Sequence, residues 1–284
     1  MSRIWMKLYN ILFMRRDMIF DAHAHYNDKK FEDRDALLAS LFNDRLGAVV
    51  NASVTPEDSR HSLELAEKYD RIFAAVGVHP GDIDRAGALD NAISEIKKLA
   101  AHPKAVAIGE IGLDYYWEPY DKEKQKAYFI AQLELARELK LPVVIHDREA
   151  HGDVDAIIKD FPDVRILLHC YSGSAEWARE LIKAGRYLSF TGVVTYKNAR
   201  KTVEAAEVTP LDRILIETDC PYLSPVPVRS SINHSGNLLY TAERLAEIKG
   251  ISLEDMLSIT FENACRFYNI DSSMLTELSG KDNL

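Results

Sequence analysis

From Met18 onward, short apolar runs alternate with longer stretches in which apolar residues recur at helical spacing. The runs are rich in Val, Ile and Leu and predict strands at 18–24, 46–53, 72–78, 105–110, 142–146, 165–169, 187–192 and 213–218. Between them, stretches such as 122–140 place Phe129, Leu133, Ala136 and Leu139 on one helical face with charges opposite. After the eighth strand, 236–249 and 252–269 read as two further helices, the second opened by Ser252 with Asp255 in capping-box-like spacing. Such alternation is the signature of an α/β protein with a parallel sheet. Eight βα units in roughly 250 residues fit a (β/α)8 TIM barrel better than an open doubly wound sheet. An open sheet would place its ligand at a switch point beside a glycine-rich turn, and the chain has neither a G-x-G-x-x-G nor a Walker sequence. No linker or low-complexity tract breaks the series. One domain is expected over 18–270, with an extra C-terminal helix, an N-terminal extension outside the fold at 1–17 and a tail at 271–284.

Five of the predicted strands share one design, an apolar run ending in a side chain able to bind metal. Met18-Ile19-Phe20 leads into Asp21-Ala22-His23-Ala24-His25, and the others end in Glu110, His146, His169 and Glu217-Thr218-Asp219. Alternation puts His23 and His25 on one face of their strand. Any one such residue is more simply read as a polar cap on a buried strand. Five of five ending in His, Glu or Asp is not what capping gives, since capping draws mainly on Gly, Asn, Ser and Thr. A barrel would bring all of them to the C-terminal ends of its strands, around one site.

The set is then His23, His25, Glu110, His146, His169 and Asp219. Four imidazoles and two carboxylates exceed one tetrahedral site and suit two divalent ions bridged by a carboxylate. Glu110 is the natural bridge, since its strand lies between those carrying the two histidine groups. The mixed set suits Zn²⁺, Mn²⁺, Co²⁺ or Fe²⁺ and is less typical of Mg²⁺, though ligand types alone do not choose. Asp219 is placed to be both a ligand and the acceptor of a water proton. No Ser-His-Asp or Cys-His arrangement competes, so the chemistry expected is metal-activated hydrolysis.

Composition narrows the setting. Three cysteines, Cys170, Cys220 and Cys265, are an odd number without metal-finger spacing and point to a reducing compartment, with the cytoplasm as default. Cys170 and Cys220 directly follow His169 and Asp219 and are expected to turn away from the ligand face as small buried hydrophobes. A net charge of −9 argues against a broad basic nucleic-acid surface, but not against a nuclease whose metals grip one phosphate. No apolar run approaches the roughly 18 residues of a membrane span. The stretch Ile11-Leu12-Phe13-Met14 is too short for a secretory signal and precedes Arg15-Arg16-Asp17, so a chain starting at Met18 is expected to fold.

The strand ends and several neighbouring segments are familiar together. Asp21-Ala22-His23-Ala24-His25, Gly77-Val78-His79-Pro80, Ile108-Gly109-Glu110-Ile111-Gly112-Leu113-Asp114-Tyr115, Pro142 to Ala150, His169-Cys170-Tyr171-Ser172-Gly173-Ser174 and Glu217 to Pro225 resemble, in order, the TatD family of metal-dependent deoxyribonucleases in the amidohydrolase superfamily. The resemblance spans residues 18–270. It implies a TIM barrel and a two-metal centre with His23, His25 and Asp219 on one ion, His146 and His169 on the other and Glu110 shared. It also implies 3′-to-5′ hydrolysis of DNA. The expected partner is then DNA at single-stranded 3′ ends, with no membrane partner given the absence of a long apolar run, and the oligomeric state stays open, a monomer included.

The same resemblance suggests His79 as a substrate-side histidine. Arg148, two residues past His146, either holds a phosphate bidentately or pairs with Asp147 or Glu149. Tyr115, Tyr116 and Trp117 either stack a base or cover the barrel rim. Glu217 reads as a partner orienting a ligand rather than a ligand. Arg229 and the stretch Lys197 to Lys201 offer a basic path at the mouth, although the stretch reads slightly better as a solvated helix start. One departure stands out: where the family usually has Arg-Gly-x-Arg-Asn, this chain has Arg229-Ser230-Ser231-Ile232-Asn233. One phosphate contact and a flexible turn are thereby in question, and substrate preference with them. Two other readings remain beside the exonuclease. One is a metallohydrolase of a small ester, lactone, amide or aminoacyl-tRNA; the other is a metal-binding recruiter without catalysis, which would need a defective ligand set.

Overall fold

Each predicted strand pairs in parallel with the next, giving one sheet in the order β1 to β8. A computed structural model describes residues 18–279. In chain order the elements are β1 (Ile19–Ala24), α1 (Arg34–Asn43), β2 (Leu46–Ala52), α2 (Pro56–Lys68), β3 (Ile72–Val76), the short α3 (Ile83–Ala86), α4 (Leu89–Leu99) and β4 (Ala105–Asp114). They continue with α5 (Lys122–Leu139), β5 (Val143–Arg148), α6 (His151–Ile158), β6 (Ile166–Leu168), α7 (Ala175–Lys183), β7 (Tyr187–Phe190), α8 (Arg200–Val208) and β8 (Ile214–Ile216). Three helices follow: α9 (Leu238–Lys249), α10 (Leu253–Tyr268) and α11 (Ser272–Ser279).

Helix starts follow from local chemistry. The Thr55 side chain accepts the Asp58 N–H at 3.1 Å, with Pro56 in the first turn of α2. Asp121 caps α5 on Lys124 N at 3.0 Å, and Ser252 caps α10 on Asp255 N at 3.0 Å, as the spacing predicts. The core has two layers. The larger lies between sheet and helices and includes Leu38, Leu63, Ile96, Phe129, Leu133 and Leu181. The smaller takes residues from every strand, among them Phe20, Val50, Phe73, Ala107, Val144, Leu167, Tyr187 and Leu215, and fills the barrel interior. Phe267 and Tyr268 from the end of α10 join it, the Tyr268 ring lying parallel to Phe20 at 6.1 Å. Each such buried large side chain contributes roughly 1.5–3 kcal/mol.

The eighth strand returns to the first, so the sheet forms a near-closed barrel. The joint is made just beyond the strands, where the Asp219 N–H donates to the His23 carbonyl at 3.0 Å and the His25 N–H to the Cys220 carbonyl at 2.8 Å. Behind it, the buried Asp21 carboxylate accepts from the Thr218 N–H at 3.0 Å, the Thr218 hydroxyl at 2.6 Å and the Ser235 hydroxyl at 2.7 Å.

Two boundaries differ from expectation. β4 runs four residues past Glu110 to Asp114, because Ile111 to Asp114 continue the ladder with Ile145 to Arg148 of β5. That close approach needs the glycine at 112, where φ is +140° and a β-carbon would lie 2.0 Å from the His146 carbonyl oxygen. Part of the segment expected as a tail forms α11, and its Leu275 is buried in the interior cluster. The expectation for residues 1–17 falls outside the described residues. Among the described residues, no helix is long and apolar enough to cross a membrane.

Candidate metal centre

The C-terminal ends of the strands bring His23, His25, Glu110, His146, His169 and Asp219 into one cluster. β1 supplies the first pair, with His23 Nε2 3.0 Å from His25 Nε2. Glu110, buried at the middle, divides its two oxygens. Oε2 lies 3.3 Å from His23 Nε2 and 3.5 Å from His25 Nε2. Oε1 lies 2.7 Å from His146 Nδ1 and 2.8 Å from His169 Nε2. Asp219 follows β8 at a φ of +55°, and its Oδ1 is 3.2 Å from His25 Nε2 and 3.6 Å from His23 Nε2. A non-glycine residue in that region of the backbone is uncommon and often marks a functional site.

Three of the four imidazoles are held from behind, whereas the buried His23 Nδ1 has no hydrogen-bond partner among the described residues. His25 Nδ1 lies 3.1 Å from the Ala52 carbonyl oxygen and His169 Nδ1 lies 3.2 Å from Glu217 Oε1, which also accepts the Cys170 N–H at 2.6 Å. Those partners fix the outer nitrogens as N–H donors and turn the inner lone pairs toward the cluster. His146 is oriented the same way by Asp114, whose Oδ2 is 3.0 Å from His146 Nε2. Asp114 carries no role in the sequence reading. The available signal was its even spacing from Glu110, with Ile111 and Leu113 buried on the other face.

The two carboxylates of the cluster are held ionised by the imidazoles around them. Burial would raise the Glu110 carboxyl, but His169, His79 and His23 outweigh it and hold it well below the usual carboxylate range. Burial opposes protonation of His25, yet Asp219 lifts its imidazolium to about 9. Asp219 is likewise held low by His25 against the effect of burial. Two Nε2 atoms at 3.0 Å have at most one proton between them if both rings are neutral, or both present lone pairs to one ion. Four groupings of three ligands each have their donor atoms within 4.8 Å of one another, and the sets His23, His25, Glu110 and Glu110, His146, His169 share the central carboxylate. The donor set fits divalent ions, which would take the place of the protons that the carboxylates otherwise hold on His25, His146 and His169.

His79 stands over the cluster. Its Nδ1 accepts the Gly81 N–H at 3.0 Å, which leaves the proton on Nε2, 3.7 Å from Glu110 Oε1. Burial, then His146, push its imidazolium down to about 3, so the ring is neutral. A cleft of about 420 Å³ opens above, lined by His25, His79, Glu110, His146, His169 and Asp219 and, farther out, by Asp28, Asp58, Asp82, Arg85 and Tyr222.

The expected substrate residues are placed less uniformly. Tyr115 does not line the cleft: its hydroxyl donates to Asp153 at 2.8 Å and its ring stacks on Tyr120 at 5.4 Å. Arg148 is exposed and makes no ion pair with Asp147 or Glu149; its guanidinium lies 4.0 Å from the Tyr116 ring centre and 5.2 Å from that of Trp117. Arg229 lies 3.8 Å over the Tyr196 ring. Arg200 opens α8 and pairs with Glu204 at 2.7 Å, a solvated helix start. In the departing loop, Ser224 donates to the Ser231 carbonyl at 2.7 Å and Asn233 to the Thr218 and Tyr222 carbonyls at 3.0 and 2.7 Å, while Ile232 is exposed. Cys220 and Cys265 are buried, but Cys170 is partly exposed, with Sγ 3.5 Å from Thr191 Oγ1.

Comparison with known proteins adds to this geometry. Residues 20–269 match the family model described as TatD related DNase. The chain is 41% identical over 257 residues to the uncharacterized metal-dependent hydrolase YabD of Bacillus subtilis, covering 89% of this chain and 100% of that protein. It is 35% identical over 266 residues to the uncharacterized metal-dependent hydrolase YcfH of Escherichia coli, covering 92% and 99%. Among solved structures it is similar to YjjV, a TatD homolog from Escherichia coli, with a TM-score of 0.83 and 26% identity over 91% of this chain and 100% of that one.

Proposed function

Since this chain belongs to the TatD-related DNase family of metal-dependent hydrolases, we propose that it removes nucleotides from the 3′ end of single-stranded DNA, using two divalent ions. The observation that carries the two-ion reading is Glu110, with one oxygen toward His23 and His25 and the other toward His146 and His169. One ion would be held by His23, His25 and Asp219, the other by His146 and His169, with Glu110 between them. When bound, such ions supply Lewis acidity toward a phosphoryl oxygen and a water acidic enough to attack near neutral pH.

The remaining steps belong to side chains of this chain. Asp219, at the open side of the cluster, accepts the proton of the attacking water. His79, neutral and with its Nε2–H toward the cluster, donates to a non-bridging phosphate oxygen. The outer cleft is acidic, with Asp28, Asp58 and Asp82 against Arg85, so a DNA phosphate enters only when cations offset the carboxylates. Arg148 and Arg229, which lie over the Tyr116 and Tyr196 rings outside the cleft lining, add positive charge for the phosphates of the strand beyond it.

Incubation of the metal-loaded protein with 3′- and 5′-end-labelled single-stranded DNA tests the reading. A 3′ label leaves at once as a mononucleotide while a 5′-labelled strand shortens stepwise. Early release of the 5′ label, or cleavage of a closed circle as fast as a linear strand, overturns the polarity. Hydrolysis of small esters or lactones with DNA left intact moves the activity to the small-substrate class.

A further inference from the structure

On the side of β4 and β5, outside the residues that line the cleft, three side chains form a surface joined to the metal cluster. Trp117 and Tyr116 are 64% and 51% exposed, the two largest exposures among the aromatic residues of the described chain. Their rings meet edge to face at 4.8 Å, and the Arg148 guanidinium lies 4.0 Å from the Tyr116 ring centre. Exposing two large aromatic rings side by side forgoes burial and marks a contact surface.

The surface is tied to the metal cluster through one side chain. Asp114 Oδ1 accepts the backbone N–H of Tyr116 at 2.9 Å and of Trp117 at 3.3 Å, while Oδ2 faces His146 Nε2 at 3.0 Å. Asp114 is itself fixed by a reciprocal pair with Gln125, whose Oε1 accepts the Asp114 N–H at 2.9 Å and whose Nε2 donates to the Asp114 carbonyl at 2.9 Å. Arg148 lies two residues past His146 on β5. The two rings and the guanidinium therefore keep a set position relative to the cluster rather than swinging on a loose loop.

We propose that Tyr116, Trp117 and Arg148 form a stacking subsite for one unpaired nucleobase of the strand whose phosphate sits at the metal cluster. This rests on the nuclease reading and deepens it. The occupant follows from the chemistry: an exposed π-face takes any base, a guanidinium beside it suits the adjacent phosphate, and both are joined to a phosphate-binding centre. A paired base keeps its faces within its own helix and has none to offer. The subsite therefore selects frayed or single-stranded ends. Tyr115, with its hydroxyl on Asp153, supports the loop from below and is not part of the stack.

Binding and cleavage are read separately. Phosphorothioate-linked oligothymidylate, which resists hydrolysis, is titrated into the metal-loaded protein alongside an oligomer of equal length made of abasic residues. Expected are quenching of tryptophan fluorescence by the base-bearing strand and an affinity for it about tenfold above that for the abasic one, within the range of base–aromatic stacking. Trp117→Ala removes that preference, and Trp117→Phe keeps most of it while losing the quenching. Equal affinity for the two oligomers in the wild type, or a preference that survives in Trp117→Ala, overturns the subsite. Base-dependent binding without release of a 3′ label leaves the subsite standing and removes the nuclease reading; release without base dependence does the reverse.

Discussion

Asp114 holds His146 from the side opposite Glu110, its Oδ2 3.0 Å from Nε2 while Nδ1 faces Glu110 Oε1 at 2.7 Å. The ring is thereby fixed in one tautomer, with its lone pair toward the cluster. Asp114→Asn keeps an oxygen for the Tyr116 and Trp117 amides but offers His146 a weaker partner or an N–H donor. Metal affinity on the His146 side is expected to fall about 10–100-fold, with the circular dichroism spectrum unchanged. Competition with a chelating dye measures it, and two ions bound at wild-type affinity would show that the pair is incidental.

Glu110→Gln removes the charge that both histidine groups face. The wild type is expected to hold about two divalent ions per chain and the variant fewer than two, by elemental analysis after gel filtration. A fully active wild type with a single ion sinks the bridging role.

Chelation is expected to abolish hydrolysis, with Mn²⁺, Co²⁺ or Mg²⁺ restoring part of it. Asp219→Asn, reloaded with metal, is expected to lose about 10²–10⁴ in kcat through loss of the proton acceptor. Wild-type turnover by that variant with both ions confirmed bound excludes Asp219 from proton transfer.

Stability away from the site rests on buried groups such as Arg186. Its guanidinium donates to the carbonyls of Val164 at 2.6 Å, Ile158 at 3.0 Å and Phe161 at 3.0 Å. Arg186→Met leaves three carbonyls without their donor and is expected to cost roughly 3–5 kcal/mol in urea unfolding, with kcat per folded molecule unchanged. A loss under about 1 kcal/mol would mean that water replaces the donor.

The sequence shows the eight strands and the ligand-bearing ends well, because apolar runs ending in His, Glu or Asp survive any error of a residue or two. It shows the facing of those ligands only by luck. Phe20 and Ala22 lie in the interior cluster and Ala24 in the outer one, so unbroken alternation from Phe20 would turn His23 outward. A register shift between Asp21 and Ala24 brings both histidines in. Likewise Ile108 and Ile111 are both in the outer cluster, three residues apart, and the shift between them turns Glu110 inward. A one-residue shift flips every later side chain, and nothing in residue type announces it. Asp114 lies past the strand end expected at Glu110, and it is Gly112 that lets β4 run on beside His146. Tyr115 was misplaced because adjacent aromatics look equivalent until one hydroxyl finds Asp153.

The joint between His23 and Asp219 has a consequence for how the molecule comes into being. The hydrogen bond that brings the eighth strand back to the first links residues 196 positions apart, and its donor and acceptor belong to two of the six clustered side chains. During synthesis, a chain that has emerged only through β7 can pair seven strands and still has a cluster missing Asp219 and open at the β1 edge. Contacts of such long sequence separation form late, after their loop-closure entropy has been met. A chain without its last strand therefore lacks one of the six clustered side chains, and the same backbone contact that closes the barrel completes the cluster.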